Sequence, residues 1–268
     1  VAKQNATIII NAPEVVVVDG KLVFNVTNST PVVVTINDVV YTPDANGNYT
    51  FDADVVGNYT IIARSAETDD YYAAFNSTVF EVIKHASSVN ITVNDKYEIE
   101  SNFIIGIENN TAVTVTVNGI KYPVVGGKVV IDTTALAAGN YTVAATIYES
   151  DKYLGNTTSK TFTIFKHNAV IDSVVVPAAD TTVGRDVTVT VTMTNVTSGK
   201  VIVEVGGHNY TVDIGNDGKA VLVVALPVGE YTAHAYYLGD DKYNTTDKTS
   251  AKFNVTAKEN ATVIINAD

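Results

Sequence analysis

Apolar and polar residues alternate with period two along most of this chain. Val187, Val189, Val191 and Met193 point one way and Thr188, Thr190, Thr192 and Thr194 the other, which predicts a strand with one face in a core and one in water. Leu22, Phe24 and Val26 alternate in the same way with Lys21, Val23 and Asn25, and Val32, Val34 and Ile36 with Val33, Thr35 and Asn37. Further strands are expected at Thr7–Asn11, Val79–Ile83, Val89–Val93 and Thr161–Phe165, and in the run through Val113, Val115 and Val117. Turn chemistry lies between them: Asp44 to Asn48 (DANGN), Gly126 to Lys128 (GGK) and Gly215 to Lys219 (GNDGK) supply the glycines that hairpins place at positive φ. No stretch carries a helical period.

The strands recur as a unit. GNYT at Gly57–Thr60 and Gly139–Thr142, and GEYT at Gly229–Thr232, each open a β-branched, alanine-rich run, and a tyrosine follows 14 positions after each glycine, at Tyr71, Tyr153 and Tyr243. The glycines are 82 and 90 residues apart, well above the roughly 20–50 residues of solenoids and near one small sandwich domain. Tyr59, Tyr141 and Tyr231 stand where an immunoglobulin-like sandwich places its tyrosine corner: the ring closes the end of the core and the hydroxyl bonds back to backbone upstream. With Tyr231 facing in, Ala233, Ala235 and Tyr237 face in as well, and Thr232, His234 and Tyr236 face out. The strand after each corner is then the penultimate one of a seven-strand unit.

The division expected is 1–85, 86–167 and 168–257 as three domains, with 258–268 beginning another repeat, because Lys3–Ala12 (KQNATIIINA) and Lys258–Ala267 (KENATVIINA) nearly coincide. Lys84 and His85, like Lys166 and His167, are read as closing their units. Short links without glycine or proline predict a limited-flexion rod, on the order of 100 Å long for three units of about ten-residue strands. The lone strand at 261–267 is expected to pair with a sheet edge, in its own chain or in another copy, by strand addition.

Composition narrows the function. The net charge is −12, the pI about 4.6, and the arginines are two, Arg64 and Arg185; a surface this acidic repels phosphate backbones and argues against nucleic acid. No cysteine and no tryptophan is present, so the cores hold by packing without the antibody-type disulfide. No apolar run is long enough to cross a membrane, so insertion by this stretch is not expected, and any signal peptide or anchor is expected beyond it.

GNYT followed by DDY, SDKY or DDKY, then a threonine-rich last strand, together with DVTVTVTMT in the third unit, resembles the bacterial Ig-like (Big-type) repeats of adhesin-like cell-surface proteins, including those of methanogenic archaea. The resemblance covers all three units and the partial fourth. It implies an extracellular stalk or adhesion module that holds a binding region away from the envelope, with neighbouring repeats of the same chain as its first partners.

Candidate sites are weighed one by one. Asn-x-Thr sequons stand at Asn5, Asn25, Asn28, Asn48, Asn58, Asn76, Asn90, Asn109, Asn140, Asn156, Asn195, Asn209, Asn244, Asn254 and Asn260. All but Asn58 and Asn140, the asparagines of GNYT, are named glycosylation candidates, although asparagine in turns and threonine in strands produce the same pattern in any repeated β-fold. Asp69, Asp70, Asp151, Asp240 and Asp241 offer hard oxygen ligands for calcium, and Asp44, Asn46 and Asn48 resemble the start of an EF-hand loop, but Gly47 falls at its fourth position and Val55 stands where a bidentate glutamate belongs. A solvated loop accounts for both, and no cofactor is expected. A buried Lys–Asn crosslink is not favoured, since Lys21, Asn25 and Asn254 all fall on outward faces. His85, His167, His208 and His234 have no recurring nucleophile beside them, so catalysis is not expected and no catalytic or metal-ligand residue is named. Tyr41, Tyr122 and Tyr210 recur with the repeat, whereas Tyr236 beside His234 does not. The sequence therefore reads as all-β, three tandem immunoglobulin-like sandwiches, a non-enzymatic stalk or adhesion segment; the alternative is that one unit itself binds a glycan or a surface protein of a partner cell.

Overall fold

The computed structural model describes residues 2–264 of the chain. Every regular element among them is a strand except one 3-10 turn, Thr133–Ala135, in which the Thr134 N–H and hydroxyl both donate to Asp132. The chain packs as two compact units, one of Val1–Val93, Ile104–Val129 and Thr142–Lys160, the other of Asn94–Phe103, Val130–Tyr141 and Thr161–Asp268.

In the first unit, the first repeat makes two facing sheets. Lys21–Asn28 lies between Ile8–Asn11 and Asn48–Asp52, antiparallel to both. The second sheet runs Val15–Val17, Ala74–Ile83, Gly57–Ser65, Val32–Ile36, Val39–Tyr41. Between them lies an apolar core that includes Leu22, Phe24, Val34, Ile36, Ile61, Phe80 and Val82. The alternation read in Lys21–Val26 holds: Leu22 and Phe24 are buried while Lys21, Val23 and Asn25 are exposed. Val15–Val17, part of a run of four valines with no alternation, supplies another strand. Pro13 has no N–H to continue the Ile8–Asn11 ladder, and the chain crosses there to the opposite sheet, where Val15–Val17 pairs in parallel with Glu81–Ile83. From the second repeat this unit holds Val89–Thr92 paired with the Asn102–Asn109 strand, and Thr114–Val117 paired with Ile120–Tyr122 and Gly139–Ile147.

The second unit holds Lys96–Glu98 parallel to Asn156–Phe165 from the second repeat, and the whole described third repeat. There Val170–Val175, Asp186–Thr194 and Lys219–Ala225 form one sheet. Val187, Val189 and Val191 of its middle strand are wholly buried. His208–Asp213, Lys200–Val205, His234–Tyr237 and Thr246–Thr249 form a second sheet, and Thr181–Thr182, Phe253–Thr256 and Gly229–Tyr231 a third.

Three expectations change. The last strands start earlier than their apolar runs, at Ala74 and Asn156, because backbone pairing continues along polar residues that cover no core. His85 does not close the first repeat: its N–H donates to Lys152 O at 2.8 Å and its carbonyl accepts from Leu154 N–H at 3.0 Å, tying it to the second. His167 is tied in the same way to Lys242 and Asn244. The strand expected at 261–267 is absent over 261–264, where no residue is in a strand and Val263 and Ile264 are 80% and 79% exposed. A single apolar segment with no core to cover has nothing to offset its ordering entropy; the remainder of that segment lies outside the described residues.

Candidate functional site

The tyrosine of each GNYT or GEYT opens the penultimate strand and turns its hydroxyl back on the chain. Tyr59 donates to Val55 O at 2.8 Å, Tyr141 to Ala137 O at 2.8 Å and Tyr231 to Pro227 O at 3.0 Å. Each ring packs on a phenylalanine of the last strand: Phe80 at 5.3 Å, Phe162 at 5.5 Å and Phe253 at 5.8 Å between centroids. These phenylalanines sit in the last strands, where the local pattern gives no hint of a tyrosine partner.

Beside two of the corners lies a recurring ionic cluster. Asp19, in a tight turn at φ 64°, accepts from Lys152 Nζ at 2.5 Å and lies 3.9 Å from His85 Nε2. The His85 ring stacks on Tyr153 at 4.9 Å, and Lys84 reaches Glu149 at 2.6 Å. The second cluster repeats the plan with two acids on its histidine instead of one. Glu100, at φ 61°, pairs with Lys242, and His167 sits between Glu98, 2.9 Å from Nδ1, and Glu100, 3.5 Å from Nε2. The Lys242 ammonium holds the Glu100 carboxyl below its ordinary value, against a smaller opposing effect of burial, and Glu100 in turn raises Lys242. Asp19 raises Lys152 likewise. Gly184, at φ 87°, occupies the corresponding turn of the third repeat with no side chain, 3.7 Å from Lys258 Nζ when a Cβ is built there. Sequence reasoning found the two histidines but not Asp19, Glu98 or Glu100; the only signal was that Asp19 and Glu100 precede small residues at equivalent points of the repeat.

The aspartate-rich loops spend their oxygens on themselves. Asp240 accepts from the N–H groups of Lys242 and Tyr243 at 2.7 and 2.8 Å and from the Tyr237 hydroxyl at 3.0 Å. Burial opposes its ionisation, yet these donors leave its carboxyl below the ordinary range, and burial followed by that bond pushes Tyr237 up to about 12. Thr68 and Ser150 cap the matching loops. Asp44 accepts from the N–H groups of Asn46 and Asn48, with Gly47 at φ 80°, so its carboxylate closes a hairpin turn. Asp69, Asp70, Asp151 and Asp241 do not converge; no three His, Cys, Asp or Glu side chains group as metal ligands among the described residues. Lys21 pairs with Asp52 in solvent, Asn25 bonds to Asn11, and Asn254 reaches Asp180; none is buried for crosslinking.

The sequon asparagines divide by what their amides do. Asn76, Asn156 and Asn244 donate to Ile8 O, Ser87 O and Asn168 Oδ1, tying the segment that begins the last strand of each repeat to the segment that begins the repeat. Asn28 and Asn109 donate to the carbonyl two residues on, at Thr30 and Thr111, and Asn90 reaches Glu108. Asn140 accepts from the Thr163 hydroxyl, and Asn48 is half-buried. Asn5, Asn58, Asn195, Asn209 and Asn260 are exposed, with no side-chain bond among the described residues.

No protein-family model matches the chain, and no curated protein matches it in sequence. Among solved structures it is similar to three immunoglobulin domains of titin at 14% identity, covering 96% of this chain and 100% of that one with a TM-score of 0.43. A bacterial ice-binding adhesin matches at 19% identity, 96% and 99% coverage and a TM-score of 0.35. Sidekick-1 immunoglobulin domains 1–5 match at 12% identity, 96% and 60% coverage and a TM-score of 0.33.

Proposed function

We propose that the chain is a non-enzymatic stalk or adhesion segment of a large, repetitive, extracellular cell-surface protein, built of three immunoglobulin-like domains. The observation that carries the reading is the repeated ionic cluster: an acidic turn of one repeat grips the lysine and histidine of the next, at Asp19 with His85 and Lys152 and again at Glu100 with His167 and Lys242. A chain that invests the same device in successive joints is built to transmit position along itself. The resemblance of its motifs to Big-type adhesin-like repeats of methanogenic archaea supports the same placement. Its exposed sequons fit a glycosylated surface, with Asn5, Asn58 and Asn209 the favoured sites because their amides are free, and Asn76 and Asn156 disfavoured because theirs hold strands together. A second reading, that one repeat binds a glycan or surface protein directly, is favoured by the third repeat, whose outward strand face carries His234 and Tyr236.

The test is protease shaving of intact source cells followed by glycopeptide mapping. Release of these peptides from unbroken cells, with sugar on Asn5, Asn58 or Asn209, is expected; recovery only after lysis would remove the surface assignment.

A further inference from the structure

The third repeat departs from the other two at one place. In the first two repeats, a hairpin turn at positive φ begins with an asparagine, Asn37 at φ 43° and Asn118 at φ 46°. Its side chain reaches across and accepts from the N–H of the corner threonine, Thr60 at 3.0 Å and Thr142 at 2.8 Å. In the third repeat that asparagine is Gly206, at φ 61°. The amide plug is gone, and the Thr232 N–H has no protein acceptor among the described residues.

The backbone opens at the same spot. Gly57–Ser65 and Gly139–Ile147 are unbroken strands, but their counterpart stops at Tyr231 and resumes at His234. The neighbouring last strand breaks too, between Thr249 and Phe253, and the gap is bridged by Ser250, whose Oγ accepts from Ala233 N–H at 2.9 Å. Interrupted pairing of this kind re-aims side chains and recurs beside binding sites. The result is an open hollow of about 540 Å³, walled by Glu204, Gly206, Gly207, Thr232, His234 and Thr249.

The chemistry of the walls selects a ligand. His234, which lines the hollow, stacks on Tyr236 at 4.0 Å and bonds to Asp247 at 2.8 Å, so an aromatic ledge that begins in the wall is held in one orientation. The Tyr236 hydroxyl reaches Glu204 at 3.3 Å, which leaves most of that carboxylate's acceptor capacity open. Glu230 is already paired with Lys252 at 2.7 Å. An aromatic edge, a carboxylate acceptor and a free backbone donor around one hollow match the apolar face and the paired hydroxyls of a sugar ring. The surrounding carboxylates oppose an anionic one. The equivalents of His234 and Tyr236 are Ile62 and Arg64 in the first repeat and Ala144 and Thr146 in the second, and Thr35 and Thr116 stand in the place of Glu204, so neither repeat offers the ledge or the carboxylate.

We propose that this hollow of the third repeat binds a neutral oligosaccharide, with Glu204 and the Thr232 N–H taking adjacent hydroxyls and the His234–Tyr236 ledge packing along the ring. The inference deepens the second reading above; the stalk reading does not require it.

The experiment is a titration of the whole chain, followed by amide NMR, with neutral cello-, chito- and mannooligosaccharides and with an oligogalacturonate. Saturable shifts centred on Gly206, Gly207, Thr232 and His234 are expected for at least one neutral ligand, with a dissociation constant on the order of 1 mM, and none for the anionic one. Gly206→Asn restores the plug: asparagine accepts this φ, and the built Cβ meets the end of the Leu226 side chain at 2.9 Å, which must shift by a few tenths of an ångström, and the Tyr231 ring at 3.7 Å. It should weaken binding about tenfold or more with the melting temperature held. Glu204→Gln, which keeps size and fold, should weaken it as well. Binding by the chain that neither substitution affects would place the sugar elsewhere and overturn the site while leaving direct glycan binding intact. No binding by any neutral ligand would overturn both and leave the stalk reading standing.

Discussion

Tyr59, Tyr141 and Tyr231 each do two things at once: the ring seals a core against phenylalanine and the hydroxyl fixes the backbone four residues upstream. The first task is apolar burial and the second a directed bond, so a phenylalanine in each position separates them. Tyr59→Phe, Tyr141→Phe and Tyr231→Phe should each cost about 1 kcal/mol in urea unfolding while the fold is kept. No measurable loss at any of the three would mean that the hydroxyl merely tolerates its partner. The same close reading divides the sequons, which are alike as strings but unlike in place: the Asn76 amide is a fastening and the Asn209 amide is free.

Strands in this chain are decided by where their apolar face goes. Period two was enough to place Lys21–Asn28 and Asp186–Thr194, each the centre strand of a three-stranded sheet with one face on a core. It missed Val15–Val17, because four consecutive valines carry no alternation and the strand's partner, Glu81–Ile83, is more than sixty residues away. The last strand of the first repeat couples the tyrosine corner to the core, since Phe80 is 1% exposed and its ring centroid lies 5.2 Å from that of Phe51 and 5.3 Å from that of Tyr59. Phe80→Ala removes the middle of that aromatic group and leaves a cavity that rigid sheets cannot fill; a loss of about 3–5 kcal/mol is expected. A smaller loss, below about 1 kcal/mol, would show that the core collapses around the gap.

Across the whole molecule the acidic surface is used locally, at the ionic clusters. Glu100 has its carboxyl lowered by Lys242, so the contribution of this pair is fully present above the ordinary carboxyl value of 4.5 and is lost as pH falls through the lowered one. Lys242 is raised, so from its side the contribution is present below 10.5 and is lost as pH rises through the raised value. The joint is therefore held across the neutral range and released in acid. A carboxyl-carbon NMR titration of the whole chain should place the Glu100 midpoint below 4.5, and Lys242→Met should return it toward 4.5. An unchanged midpoint in the variant would detach the lysine from the effect. Both groups are solvent-facing, so salt should weaken the pair.

The amino-acid sequence alone determined the fold class and the repeat, because alternation and turn residues act over a few neighbours and GNYT recurs intact. It also determined which tyrosine faces inward at each corner. Only the tertiary structure decided which acids meet His85 and His167, since Asp19 and Glu100 come from turns 66 and 67 positions earlier in the numbering. It also decided that Gly206 leaves a hollow where Asn37 and Asn118 place an amide, a difference of one side chain that gains meaning only from the Thr232 N–H opposite. Local patterns encode what a residue prefers; contacts between distant segments fix what it touches.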